Sequence, residues 1–99
     1  MAFVVAATWK AKPGEAERVT EVIKKMTPLS RAEEGNVFYQ AQVNPEDPET
    51  FFLYEQYTDA QAYEDHKNTE YFQENVFGYI LEYLAERSVK TYELSLIHI

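Results

Sequence analysis

The feature that most restricts the fold of this chain is a strand-like segment that is apolar on both faces, and it occurs twice. In Ala2–Lys10, Phe3, Val5, Ala7 and Trp9 share one face, and Val4, Ala6 and Thr8 share the other. In Thr50–Tyr57, Phe51, Leu53, Glu55 and Tyr57 alternate with Phe52, Tyr54 and Gln56. A strand covered on one side alternates apolar with polar residues. These two segments barely do so, and any sheet that holds them needs cover on both sides. With 99 residues the chain suffices for one domain and not two. Its helices are expected to cover one side of the sheet, and a second copy of the chain the other.

The remaining segments fall around these two strands. Glu15–Met26 predicts a helix, with Ala16, Val19, Ile23 and Met26 on one stripe, acids in the first turn and Lys24 and Lys25 near the end. Thr27-Pro28 is expected to interrupt it and start a short further turn that Gly35 ends. Asn36–Val43 reads as a strand, and the turn-rich Asn44–Glu49 makes it an antiparallel hairpin with Thr50–Tyr57. Thr58 and Gln61 have the spacing of a capping box for a helix starting near Asp59, with Ala62 and His66 on one face. A third helix is expected over Glu70–Glu86, with an apolar stripe through Phe72, Val76, Tyr79, Ile80, Tyr83 and Leu84 that Phe77 and Leu81 widen. Ser88–Ser95 is the last strand, and 96–99 form an apolar tail beyond a single domain of residues 1–95. The order β-α-β-β-α-β predicts an α+β, ferredoxin-like fold, a four-stranded antiparallel sheet with helices on one face. A homodimer packed sheet against sheet then covers the other face.

Charge and composition remove several functions. The formal net charge of −8 disfavours nucleic acid and anionic membranes as partners. The absence of cysteine excludes disulfides, thiolate nucleophiles and thiolate-bound zinc or iron–sulfur centres, and fits a cytoplasmic protein. The opening MAFVVAATW has no basic leader and is too short to span a bilayer. Three glycines make no phosphate-binding loop, and His66 with Asp59 or Glu70 has no standard metal-ligand spacing. Neither a cofactor nor a metal is expected.

The candidate site residues are polar groups in apolar surroundings. His66 is the only histidine outside the extreme C-terminus. A neutral imidazole can take a proton from a phenol or an enolisable carbon, or simply tie the helix to the sheet. Glu55 interrupts an apolar strand, where a carboxylate is costly unless paired. It is expected to orient His66, to act as an acid or base with a raised pKa, or to form an ion pair at the dimer interface. Tyr54, Tyr57, Tyr39 and Trp9 are either core residues or the walls of a pocket for a flat, hydroxylated substrate. Asn36 is an oxyanion donor or a turn residue beside Gly35, and Glu34 a further candidate acid.

The middle of the chain also resembles a known family. Glu34-Gly35-Asn36, Tyr39, Asp47-Pro48, the run Phe52-Leu53-Tyr54-Glu55-Gln56-Tyr57, then Asp59, Ala62, His66 and Tyr71-Phe72 follow the order and spacing of the antibiotic biosynthesis monooxygenase (ABM) domain of the dimeric α/β-barrel superfamily. The match spans roughly Val4–Tyr92. The resemblance implies a dimeric α/β barrel and chemistries that include cofactor-independent oxidation of quinols and anthrones, isomerisation of a phosphorylated dione, and haem degradation. Haem-degrading relatives carry an iron-ligating histidine where this chain has Val76, which disfavours that activity. What the resemblance favours is a monooxygenase acting on a small aromatic quinol or polyphenol with dioxygen, through His66, Glu55 and Asn36. The alternatives are an isomerase of a small dicarbonyl, with Lys10 or Lys67 anchoring a phosphate, and a non-catalytic ligand-binding dimer.

Overall fold

The computed structural model describes residues 2–93. Strand β1 (Phe3–Ala11) leads to helix α1 (Ala16–Arg31), strands β2 (Asn36–Asn44) and β3 (Asp47–Tyr57), and helix α2 (Ala60–Lys67). A short helix α3 (Glu70–Phe72) runs into a π turn at Gln73–Phe77 and a 3-10 turn at Ile80–Tyr83 before strand β4 (Leu84–Glu93). The sheet is antiparallel throughout, in the order β2-β3-β1-β4. The two doubly apolar strands are therefore its two central strands. The molecule is only 19 Å deep along its shortest axis, which fits one helical layer on one sheet.

The helix-facing side carries Val5, Ala7, Trp9 and Ala11 of β1 and Phe51, Leu53, Glu55 and Tyr57 of β3, all buried. Val19, Val22, Ile23 and Met26 of α1 close over them with Phe72, Val76 and Ile80. On the opposite face lie Phe38, Phe52 and Tyr92, which are 46%, 40% and 52% exposed. Tyr54 also lies on that face, its ring centroid 5.8 Å from Phe38 and its hydroxyl accepting a hydrogen bond from Gln56.

Four local expectations differ from what is observed, each because contacts elsewhere outweigh the local signal. Helix α1 runs unbroken through Pro28. A proline removes one backbone donor, but here it falls near the helix end, and Ser30, fully buried one position beyond Leu29, keeps the next turn docked. The β2–β3 turn shrinks to Pro45-Glu46, because Asn44 pairs with Asp47 and its side chain accepts from the Glu46 N–H. Helix α2 is capped by Asp59, not Thr58: the Asp59 carboxylate accepts the Ala62 N–H at 2.8 Å. The long third helix does not form. Gly78 closes a π turn onto the Gln73 carbonyl, Phe77 is half exposed, and Leu84 pairs with Ala11 as the start of β4. Sheet pairing along β1 takes residues 84–86, which helical periodicity alone assigns to a helix. The expected tail, 96–99, lies outside the described residues.

Candidate active site

Alternation along β1 sets up the site. Trp9 and Val5 flank Ala7 on the helix-facing side, and Ala7 pairs with Leu53 on β3 and Val89 on β4. The small alanine leaves a gap above the sheet. Val5, Ala7, Leu53 and Val89 line it from the sheet, Trp9, Tyr39 and Glu55 stand beside them, and Met26, Tyr63, His66, Phe72 and Arg87 complete it. The free volume is about 20 Å³, room for one water. Trp9 contributes a buried indole N–H with no hydrogen-bond partner among the described residues. A buried donor left unpaired costs roughly 1–3 kcal/mol, so this wall calls for an oxygen acceptor.

His66 reaches the site because α2 presses close to the chain before β2. A Cβ placed on Gly35 would lie 2.5 Å from the Ala62 Cβ, so glycine at 35 permits that approach. His66 is 2% exposed, with its ring 5.4 Å from Tyr57 and 5.0 Å from Phe72. Its Nδ1 is 2.8 Å from Glu33 Oε2, which also accepts from the Tyr71 hydroxyl. An Nδ1–H donated to that carboxylate leaves Nε2 as the basic nitrogen. Nε2 is 3.9 Å from Glu55 Oε1, beyond hydrogen-bond reach.

Glu55 is held by one short bond, the Tyr57 hydroxyl donating to Oε1 at 2.6 Å. Burial pushes its pKa above the usual carboxylate value, and the Tyr57 donor and the His66 charge pull it back. Burial also raises the phenols around it. Tyr63 is pushed up to about 12, with the Glu55 charge adding to burial. Tyr39, Tyr57 and Tyr71 are shifted further upward, burial again being the largest cause. These phenols stay protonated at neutral pH, which leaves His66 and the carboxylates of Glu55 and Glu33 as the groups able to accept a proton.

The structure brings together His66, Glu55, Tyr39 and Trp9 around one cavity, with Tyr57 beneath Glu55. It does not bring Tyr54 there, since its parity puts it on the other sheet face. Asn36 is also separate: it opens β2, its side chain donates to the Phe38 carbonyl at 3.3 Å, and it lines an edge groove with Arg31. The two lysines considered as phosphate anchors lie elsewhere, Lys10 paired with Asp47 and Lys67 with Glu64. Val76 is fully buried in the core and offers no ligand atom. Glu33, Tyr63, Phe72 and Arg87 are the site residues that sequence reasoning passed over. The adjacent Glu34 drew attention in place of Glu33, and only the turn after α1 shows which of the two faces His66.

Comparison with known proteins agrees with this fold. A search among curated proteins finds no match. Among solved structures, a Pseudomonas aeruginosa protein is 30% identical, with 95% of each chain covered and a TM-score of 0.86. A Mycobacterium tuberculosis protein is 18% identical, with 96% of each chain covered and a TM-score of 0.89. A structure described as an antibiotic biosynthesis monooxygenase is 22% identical over 94% of this chain and 98% of that one, with a TM-score of 0.86. The sequence model of the family described as antibiotic biosynthesis monooxygenase matches residues 2–76, from the first strand through the histidine and into the π turn, and the chain thus belongs to that family.

Proposed function

We propose that the protein is a cofactor-independent monooxygenase that oxidises a small aromatic quinol or polyphenol with dioxygen, acting as a cytoplasmic homodimer. The observation that carries this reading is the buried His66, held at Nδ1 by Glu33, with its Nε2 unpaired beside an aromatic-walled cavity. In this role Nε2 takes the proton of a phenolic hydroxyl. The Trp9 N–H is the matching donor to the oxyanion so formed. The electron-rich anion then reduces dioxygen. One oxygen atom ends as a ring carbonyl, and the other leaves as water with two hydrogens from the substrate. Apolar walls keep bulk water from the anion.

The cavity holds one water as it stands, whereas sites for small molecules are typically hundreds of Å³. Binding a phenol ring therefore requires the wall of Phe72 and Arg87, with Phe77 packed behind it, to yield. Phe77 and Arg87 are exposed and lean on each other, with the guanidinium 5.8 Å from the ring. The dimer is supported by Phe38, Phe52 and Tyr92, exposed on the sheet face that no helix among the described residues covers. Oxygen uptake on a panel of benzo- and naphthohydroquinones tests the reading, with His66→Ala as control. Uptake is expected with the wild type and a loss of about a hundredfold or more in the variant. Turnover undiminished by the substitution, or turnover that persists without oxygen, would remove this function.

A further inference from the structure

His66 stands between two compartments. Nε2 lies on the side of the small cavity and Glu55, and Nδ1 bonds Glu33. Glu33 also lines a separate, open cleft of about 240 Å³, formed with Glu34, Gly35, Ala62, Asp65 and Thr69. The Glu33 side chain is 18% exposed, against 2% for His66 and 7% for Glu55. Of the three linked groups, only Glu33 touches solvent appreciably.

We propose that Glu33 is a positioning and relay residue, through which the proton handled by His66 passes between the buried imidazole and the solvent cleft. The inference rests on reading His66 as the base. A proton taken at Nε2 makes the imidazolium, which releases its Nδ1 proton to Glu33 Oε2, and the carboxyl group gives it to water in the cleft. The neutral imidazole left behind carries its proton on Nε2. That proton completes the water molecule formed in the oxidation, and Glu33 returns one proton from solvent to Nδ1. No net proton is gained or lost, and the resting tautomer is restored.

The neighbouring groups are less suited to the task. Glu55 is 5% exposed, and the Tyr57 hydroxyl occupies its Oε1. Tyr71 donates to the same oxygen of Glu33, stands 3.4 Å from Nδ1, and also neighbours Ser30 and Thr69. Burial and the Glu33 bond raise its pKa, so the phenol keeps its proton and steadies Glu33.

The test reads the proton directly and needs no substrate. The full chain is labelled with 15N-histidine, His66 is assigned with a His66→Gln variant, and exchange of the imidazole N–H with water is measured by NMR. The wild type is expected to carry its proton on Nδ1 in the neutral form. Glu33→Gln keeps an acceptor at that place but cannot carry a proton, and exchange is expected to slow by about a hundredfold. Tyr71→Phe, which keeps the carboxylate, is expected to exchange at close to the wild-type rate. Should Glu33→Gln not fold, Glu33→Ala with added formate replaces it, and exchange is expected to rise with formate concentration. A wild-type rate in Glu33→Gln, no response to formate in Glu33→Ala, or a proton resting on Nε2 in the wild type would overturn the relay. Failure of every hydroquinone to be oxidised would count against the oxygenase and leave this measurement intact.

Discussion

Replacing Tyr57 with phenylalanine isolates the one hydrogen bond that stabilises a buried carboxylate at the centre of the sheet. The Tyr57 hydroxyl donates to Glu55 Oε1 at 2.6 Å, and both residues are nearly inaccessible, at 0% and 5% exposed. A hydrogen bond to a charged group is worth roughly 1.5–3 kcal/mol, and phenylalanine keeps the ring in place, so a loss of about 2 kcal/mol is expected at neutral pH. For a domain of this size that lowers Tm by roughly 8–16 °C. The pH dependence is the sharper test. Burial already holds the Glu55 pKa above its unfolded value of 4.5, and the Tyr57 donor works against that shift. Removing the donor raises the folded pKa further. A carboxylate with a raised pKa binds more protons folded than unfolded, so stability falls as pH rises from 4.5 through the folded pKa. The penalty for Tyr57→Phe therefore grows with pH and levels off once Glu55 is ionised in the variant. Urea titrations from pH 4.5 to 8 at constant protein concentration measure it, since association would otherwise shift the midpoint. A penalty that is flat with pH, or largest at the acid end, would refute the assignment of this bond to an ionisable, burial-strained Glu55.

Other outcomes follow from the same geometry. Glu55→Gln keeps an acceptor for Tyr57 and removes the buried charge. It is expected to stabilise the protein at pH 7 by about 1.4 kcal/mol for each unit by which the Glu55 pKa is raised, with the gain vanishing as pH approaches 4.5. Thermal unfolding at the two pH values checks this. Gly35→Ala places a methyl group against Ala62 and is expected to cost roughly 1–3 kcal/mol in urea unfolding. Because the clash falls on the helix that carries His66, the imidazole signals should shift as well. Phe52→Glu puts a charge on the uncovered sheet face. Sedimentation is expected to show the proposed dimer in the wild type and monomer in the variant, and a dimer unchanged by the substitution would show that this face is not the interface.

The fold was largely legible because periodicity reports burial. Apolar residues on both faces of 2–10 and 50–57 mark the strands that the structure places at the centre of the sheet. The apolar stripe of α1 survives even its internal proline, because burial of Val19, Val22, Ile23, Met26 and Ser30 holds the whole face down. Where the reading failed, at 73–86, the apolar residues suited a helix and a strand equally. Backbone pairing with β1 made the choice, and no local pattern records it.

The site divides along the same line. The sequence by itself marked Glu55, a carboxylate inside an apolar strand, and His66, the only histidine outside the extreme C-terminus and four residues after the small Ala62. It could not show that Nδ1 is held by Glu33 and not Glu34, that Tyr54 faces away while Tyr39 and Trp9 face in, or that Asn36 stands apart. Those outcomes depend on which strand face receives the helices and on how closely α2 approaches Gly35. Both are long-range contacts between segments distant in the chain. Periodicity shows that a residue is buried, but only the packing of whole elements decides what it is buried against.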